Sequence, residues 1–218
     1  MNLYTLCFDP LYRVGKTDID KAQSVLTESF TNDPFMQYLM GGNNYDLKKA
    51  SLFHRFIINY GLKYGIVLTI SKNFEGVAVW LPPCKTEFTA WKSLQAGVIS
   101  LGKIEGINIG KRIQFFTRMK EYGNYSAQLH KKYASFPNWH LLEIGIADKY
   151  RGKGFASRLL RPILDEFDKK GLHCYLETHN PVNVEIYRHF GFEVVIEGKL
   201  PYTEKPHWSM LRKPGIEK

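Results

Sequence analysis

The stretch that decides the fold is LLEIGIADKYRGKGFAS, residues 141–157. It begins as a short apolar run that reads as a buried strand. The run breaks at Ala147-Asp148-Lys149, and Arg151-Gly152-Lys153-Gly154-Phe155-Ala156-Ser157 then leads into a helical pattern. Two glycines at the mouth of a helix let backbone N–H groups approach an anion closely, and the helix dipole favours negative charge there. Arg151 and Lys153 add positive charge at the same place. The physical reading is a pyrophosphate cradle at a strand–loop–helix junction, suited to a nucleotide or a nucleotide-tailed cofactor.

Spacing separates three such cradles. A phosphate-binding P-loop needs Gly, four residues, then Gly-Lys-Ser/Thr; residues 106–111 come near it but lack the spacing and the hydroxyl. A dinucleotide fingerprint needs G-x-G-x-x-G tight against the strand end, whereas Gly152-x-Gly154 is followed by Ser157 and a loop intervenes. The third pattern, Arg/Gln-x-x-Gly-x-Gly/Ala, is met by Arg151, Gly154 and Ala156. This segment resembles the coenzyme A signature of the GNAT N-acetyltransferases. Taken alone, it also fits a plain glycine-rich turn with solvated basic residues.

A chain of 218 residues buries a full core and is expected to form one domain, with room for an inserted subdomain. Its 44% hydrophobic and 23% charged content is that of a soluble globular protein. The three cysteines, Cys7, Cys84 and Cys174, show no paired spacing and read as reduced structural thiols of a cytoplasmic protein. Neither a signal peptide nor a membrane-spanning run is apparent. The formal charge of +9 suits an anionic ligand. The basic residues are scattered rather than interleaved with aromatics, so no nucleic-acid partner is expected.

In chain order, residues 2–8 alternate weakly and read as a first strand. An amphipathic helix begins at Asp18 and stops at Asn32-Asp33-Pro34, a short helix follows over 35–40, and a longer one over 45–64. Residues 66–70 and 76–81 read as an antiparallel hairpin. The stretch 87–135 has helical spacing and no strand signal, and is expected to be an insertion. Its aromatic and basic residues, Phe115, Phe116, Arg118, Tyr122 and Tyr125 among them, either line an acceptor pocket or pack helix on helix. Residues 139–146 form the central strand, in which Gly145 marks a bulge or a close backbone approach. Helix, strand (173–178), helix from Asn180-Pro181, strand (192–197) and a final strand (207–212) complete the chain. The order predicts an α/β fold, a mixed central sheet flanked by helices.

The second half reads Glu143-Ile144-Gly145-Ile146, then the cradle, then Glu177-Thr178-x-Asn180, then Asn183-x-x-x-Tyr187-x-x-x-Gly191-Phe192. This ordered series resembles the GNAT superfamily. Trp139-His140-Leu141, Leu176-Glu177-Thr178, Trp208-Ser209-Met210, Val79-Trp80-Leu81-Pro82-Pro83 and Ser29-Phe30-x-x-Asp33-Pro34 resemble its puromycin N-acetyltransferase-like branch. The resemblance is strong over residues 139–212, moderate over 17–83, and absent from the helical stretch. It implies acetyl-CoA as donor and an amine acceptor, which we take to be a small molecule. The pantetheine arm is then expected along Ile144, Gly145, Ile146 and Ala147. The pyrophosphate belongs on the backbone of Arg151 to Ser157 (Gly152, Lys153, Gly154, Phe155, Ala156), with Asn180, Asn183 and Tyr187 beside the arm.

The chemistry sets needs of its own. An alkyl ammonium has a pKa of about 10, so a base or a water chain must take its proton. Developing negative charge on the carbonyl oxygen needs a backbone N–H, and a bulged strand at Gly145-Ile146 would offer one. The departing thiolate needs a proton; Tyr187 matches the family's tyrosine acid. For the base, some relatives use a carboxylate near the start of this strand, where His140 stands in this chain. Strict alternation puts His140, Leu142, Ile144 and Ile146 on one face and Leu141, Glu143 and Gly145 on the other. His140, Glu143 and a water chain therefore all remain open as the base, and Glu177 is a carboxylate either in support or buried and paired. No histidine or cysteine spacing suggests a metal site. The leading expectation is an acetyl-CoA-dependent N-acetyltransferase, monomeric or homodimeric. A non-catalytic acyl-CoA-binding module is the alternative.

Overall fold

The hairpin, the central strand and the C-terminal strands combine into a seven-stranded sheet, in the order β1-β2-β3-β4-β5-β7-β6. The computed structural model describes residues 6–42, 46–83, 85–86, 89–102 and 109–215. Its strands are β1 (Tyr12–Arg13), β2 (Ile66–Thr69), β3 (Gly76–Leu81), β4 (Asn138–Ile146), β5 (His173–Thr178), β6 (Glu193–Lys199) and β7 (Pro206–Arg212). All pairings are antiparallel except β4 with β5. Of the first strand expected over 2–8, residues 2–5 lie outside the described residues and residues 6–8 are irregular; among the described residues the edge is taken by Tyr12–Arg13.

Helices cover both faces. On one lie α1 (Ile19–Ser29), α2 (Pro34–Met40), α3 (Leu47–Tyr64), α4 (Ala90–Gln95) and α5 (Ile109–Tyr133). On the other lie α6 (Phe155–Lys169) and α7 (Pro181–His189). Leu26, Leu39, Phe53, Ile58, Val77 and Val79 make the first core; Leu68, Trp80, Trp139, Leu141, Ile163 and Phe167 make the second. β2 and β3 are buried on both faces, which explains why they read as continuous apolar runs rather than alternating ones. Among the described residues no helix is long and apolar enough to cross a membrane.

The stretch expected to be an insertion carries α4, a 3₁₀ turn (Val98–Gly102) and the 25-residue α5. Within it Gly97 takes a left-handed φ of 91°, Gly102 ends the 3₁₀ turn, Gly110 lies inside α5, and Gly106 is outside the described residues.

The decisive irregularity is in β4. Val79 is opposite Glu143 and Trp80 opposite Leu141, so Leu142 is an extra residue on the β4 side. A bulge bends its strand and increases the local twist. β4 and β5 stay paired only through Leu141–Leu176, although β4 runs on to Ile146 and β5 to Thr178. The two parallel strands part there, leaving a gap in the middle of the sheet.

Candidate active site

Each wall of the gap is set by local structure. Ala147 N donates to Glu75 O at 3.0 Å, extending the β3–β4 register by one pair. Counting back with the two-residue period of an antiparallel ladder makes Gly145–Val77 and Glu143–Val79 the hydrogen-bonded pairs. The backbone polar groups of Ile144 and Ile146 therefore point away from β3, towards the gap. Ile146 O is already taken there, accepting from Ser29 Oγ at 2.9 Å and Arg151 Nε at 3.3 Å.

The bulge at Leu142 bears on two expectations. Of the two readings of Gly145, the close approach holds, since a Cβ there would stand 2.6 Å from Ser29 Oγ and 2.7 Å from Ser29 Cβ, and the strand is not bulged at Gly145-Ile146. Strict alternation also fails, because the extra residue resets the pleat. His140, Glu143 and Gly145 share the face covered by α1, α3 and α5, as their contacts with His130, His54 and Ser29 show. Leu141, Ile144 and Ile146 pack with the α6–α7 core.

Beyond β4 a 3₁₀ turn (Asp148–Tyr150) leads into the glycine loop. Gly152 and Gly154 have φ of 70° and 77°, a left-handed region that suits glycine. The first hydrogen bond of α6 is Arg158 N to Gly154 O at 3.2 Å, so the amides of Phe155, Ala156 and Ser157 precede the helical ladder. These donors fit a phosphate group. The side chains do something else: Arg151 donates to Ser29 O at 2.7 Å and pairs with Asp148 at 2.9 Å, and Lys153 Nζ donates to Lys149 O at 2.9 Å. They hold the loop to α1 and to itself, and the backbone is left to face an anion.

Tyr187 lies on the α7 side of the sheet, edge-on to Phe192 at 5.9 Å. Its hydroxyl has no protein hydrogen-bond partner among the described residues. Burial raises its pKa, and the charges of Asp33 and Cys174 add to that. Asp33 belongs to the opposite face, at the start of α2. Asn180 spends its side chain capping α7, accepting from Val182 N at 3.1 Å. Asn183 follows in the first turn of that helix.

On the α1–α3 face, Glu143 Oε1 and His54 Nδ1 are 2.9 Å apart, with both residues buried. Glu143 Oε2 and His54 Nε2 have no protein partner. Asp33 caps α2, accepting from Phe35 N at 2.9 Å and Met36 N at 3.2 Å. Burial pushes its carboxyl up to about 6, Glu143 contributes in the same direction, and the two amides and His54 oppose it.

His140 is placed differently. Its ring lies parallel to His130 at 5.9 Å and edge-on to Tyr175 at 5.1 Å, and Nδ1 has no partner. Burial lowers its pKa to about 4 against the opposing pull of Glu177, which makes it a poor base at neutral pH. Glu177 accepts from Tyr122 at 2.6 Å, Tyr175 at 2.8 Å and Ser126 at 2.8 Å. Burial opposes its ionisation, but His207, His140 and the tyrosine hydroxyls outweigh that and hold it below its ordinary value. Tyr122 and Ser126 thereby tie α5 to β5. Tyr122 lines the site as well as packing, while Phe115 and Phe116 belong to the core.

Asp33 and His54 are the residues that sequence reasoning passed over as parts of the site. Asp33-Pro34 read as a helix break, which it also is. His54 is one polar residue in an amphipathic helix, and only the tertiary pairing with Glu143 distinguishes it.

Residues 79–192, just over half the chain and including the bulge, the cradle and Tyr187, match the model of the Acetyltransferase (GNAT) family. The chain belongs to that family. An uncharacterized N-acetyltransferase of Schizosaccharomyces pombe is 30% identical over 212 residues, covering 94% of this chain and 83% of that protein. Solved structures share the fold at low identity. One is titled histone acetyltransferase HPA2 and related acetyltransferase, from Corynebacterium glutamicum (TM-score 0.62, 19% identity, 95% of this chain and 97% of that one). Another is a putative arylalkylamine N-acetyltransferase 7 of the yellow fever mosquito (TM-score 0.63, 15% identity, 94% and 87%). The GNAT enzyme is thus an acetyltransferase built on a mixed sheet that opens between β4 and β5.

Proposed function

We propose that this GNAT protein transfers an acetyl group from acetyl-CoA directly to a primary amine of a small molecule, in the manner of the puromycin N-acetyltransferase-like branch. The observation that carries the reading is the gap between β4 and β5. A proton-accepting pair, Glu143–His54, stands on one face of it, a proton donor, Tyr187, on the other, and an amide-lined loop lies at its end. Acetyl-CoA, when bound, supplies the activated acetyl carbon.

The chain supplies the rest. Amides of residues 152–157 hold the pyrophosphate, and those of Ile144 and Ile146 face the acyl arm, where one of them meets developing negative charge on oxygen. Arg151 fixes the loop against α1 rather than touching phosphate. Glu143, oriented by His54 and with Oε2 unpartnered, is the base in preference to His140, whose ring is enclosed between His130 and Tyr175. Tyr187, raised above its ordinary value, stays protonated at neutral pH and is ready to protonate the leaving sulfur. The helix α5 forms the roof over the acceptor.

Thiol release from acetyl-CoA with a panel of amines, together with CoA titration by calorimetry, tests this. Turnover with at least one amine, slowed about 10²- to 10⁴-fold in Tyr187→Phe with CoA affinity kept, is the expected result. Failure of wild type to bind CoA would end the proposal. CoA binding without turnover on any amine would favour a silent acyl-CoA-binding module.

A further inference from the structure

The acceptor side of the gap has a charge pattern that the whole chain does not share. The protein carries a formal +9, yet three carboxylates stand on the face covered by α1, α2, α3 and α5: Asp33 at the start of α2, Glu143 against His54 of α3, and Glu177 against Tyr122 and Ser126 of α5. Among the described residues none of the three is ion-paired with a lysine or an arginine. Glu177 is satisfied by three hydroxyls, whereas Glu143 meets His54 through Oε1 alone and Asp33 caps α2 through Oδ1 alone, so each of these two keeps an oxygen in reserve. Oδ1 of Asp33 caps α2; Oδ2 accepts no hydrogen bond from the described residues and is not a sealed-off atom, and the residue is partly exposed.

Two further observations point to a ligand. Glu143, less than a tenth exposed, has an oxygen without a partner, and its charge reaches Asp33. Beside Asp33 stands an aromatic wall: Phe35 lies 4.9 Å from the ring of His179, stacked at 19°, and 4.4 Å from that of Tyr122. Buried carboxylates retain their charge where a counter-charge reaches them, and ring faces attract cations.

We propose that Asp33 is the acceptor's anchor: it binds the incoming amine as an ammonium ion, with the amine's apolar, ring-bearing body against Phe35, Tyr122 and His179. This rests on the transferase reading above and names the acceptor class, a cationic arylalkyl amine. Asp33 receives the ammonium where Glu143 and Tyr187 both face the opening, so binding also orients the nitrogen for deprotonation.

The test uses phenethylamine as probe and phenethyl alcohol as its neutral counterpart, titrated by calorimetry into CoA-saturated protein. Asp33→Asn keeps a side-chain oxygen for the cap, so α2 stays formed. Wild type is expected to bind phenethylamine and not the alcohol. Asp33→Asn is expected to bind it at least tenfold more weakly while CoA affinity changes less than twofold. Wild-type affinity should fall as pH drops through about 6, where Asp33 takes up its proton, and the Asn variant should lose that step. The groups facing Asp33 from neighbouring elements, Glu143, His54, Tyr122 and Tyr187, remain in both proteins. Equal amine affinity in the two proteins, or equal affinity of wild type for amine and alcohol, overturns the proposal. CoA binding with no phenethylamine binding at millimolar concentration overturns the acceptor class and leaves the CoA site standing. Loss of CoA binding by wild type would instead reject the transferase reading.

Discussion

Gly145→Ala tests the packing that shapes the opening. The added Cβ would stand 2.6 Å from Ser29 Oγ, 2.7 Å from Ser29 Cβ and 3.1 Å from Leu26 Cδ2. Rotating the serine hydroxyl does not relieve this, because the Cβ itself is in the way. The hydroxyl is also held, donating to Val25 O at 2.7 Å and Ile146 O at 2.9 Å. The clash is relieved when α1 moves outward, against its packing on α3 and the sheet. Overpacking of this kind costs about 1–3 kcal/mol, offset by about 0.4–1 kcal/mol from the stiffer unfolded chain. A net loss of about 1–2 kcal/mol in a chain of this size lowers Tm by roughly 2–8 °C. The effect should extend to function. Ser29 O also accepts from Arg151 at 2.7 Å, so shifting α1 loosens the glycine loop. Thermal unfolding followed by circular dichroism, with and without CoA, and a CoA titration read both effects. The expected result is a lowered Tm together with several-fold weaker CoA binding. An unchanged Tm and CoA affinity would refute the close approach of α1 to β4 on which the geometry of the gap depends.

Three further outcomes are expected. Glu143→Gln should cut kcat about 10²-fold or more with CoA affinity retained, measured by thiol release at saturating donor; an unchanged kcat would remove Glu143 as base. Gly154→Ala, forced into a φ of 77°, should cost about 1–2 kcal/mol and weaken CoA binding, read by chemical denaturation and calorimetry. Asp168 receives Arg212 through two bonds of 2.6 and 2.5 Å and Gly215 N at 2.6 Å. Burial opposes its ionisation, but Arg212 and Gly215 N win, so its pKa is lowered in the fold. Its stabilisation is therefore fully present above the ordinary value of 3.8 and is lost as pH falls through the lower folded value. Asp168→Asn should be about 1–3 kcal/mol less stable than wild type at pH 7, and the two should converge in acid. A stability difference that does not shrink as the pH falls below 3.8 would contradict the assignment.

Most elements were legible in the sequence because their signals are local. The hairpin at β2–β3, the span of β5, the Asp33-Pro34 start of α2 and the Asn180-Pro181 start of α7 each follow from alternation, capping or proline geometry within a few residues. The edge strand Tyr12–Arg13 is not legible because an edge of two residues has almost no pattern to read. Gly145 reads as a bulge or a close backbone approach, and it is the close approach. The bulge falls on Leu142, which has no sequence signature, since a bulge is a count of residues against a partner strand.

By itself, the sequence determined the order of strands and helices, the left-handed glycine loop and the placement of a tyrosine on α7. Each of these depends on backbone preferences and spacing carried by neighbouring residues. Only the tertiary structure decided which side chains meet. One extra residue in β4 turned Glu143 towards α3 and brought it to His54, 89 positions away. Beyond the bulge β4 parts from β5, with Glu143 and His54 on one face of the sheet and Tyr187 on the other. Register and pairing across long separations are settled by packing the whole core at once, and that decision made a gap in the sheet into a candidate active site.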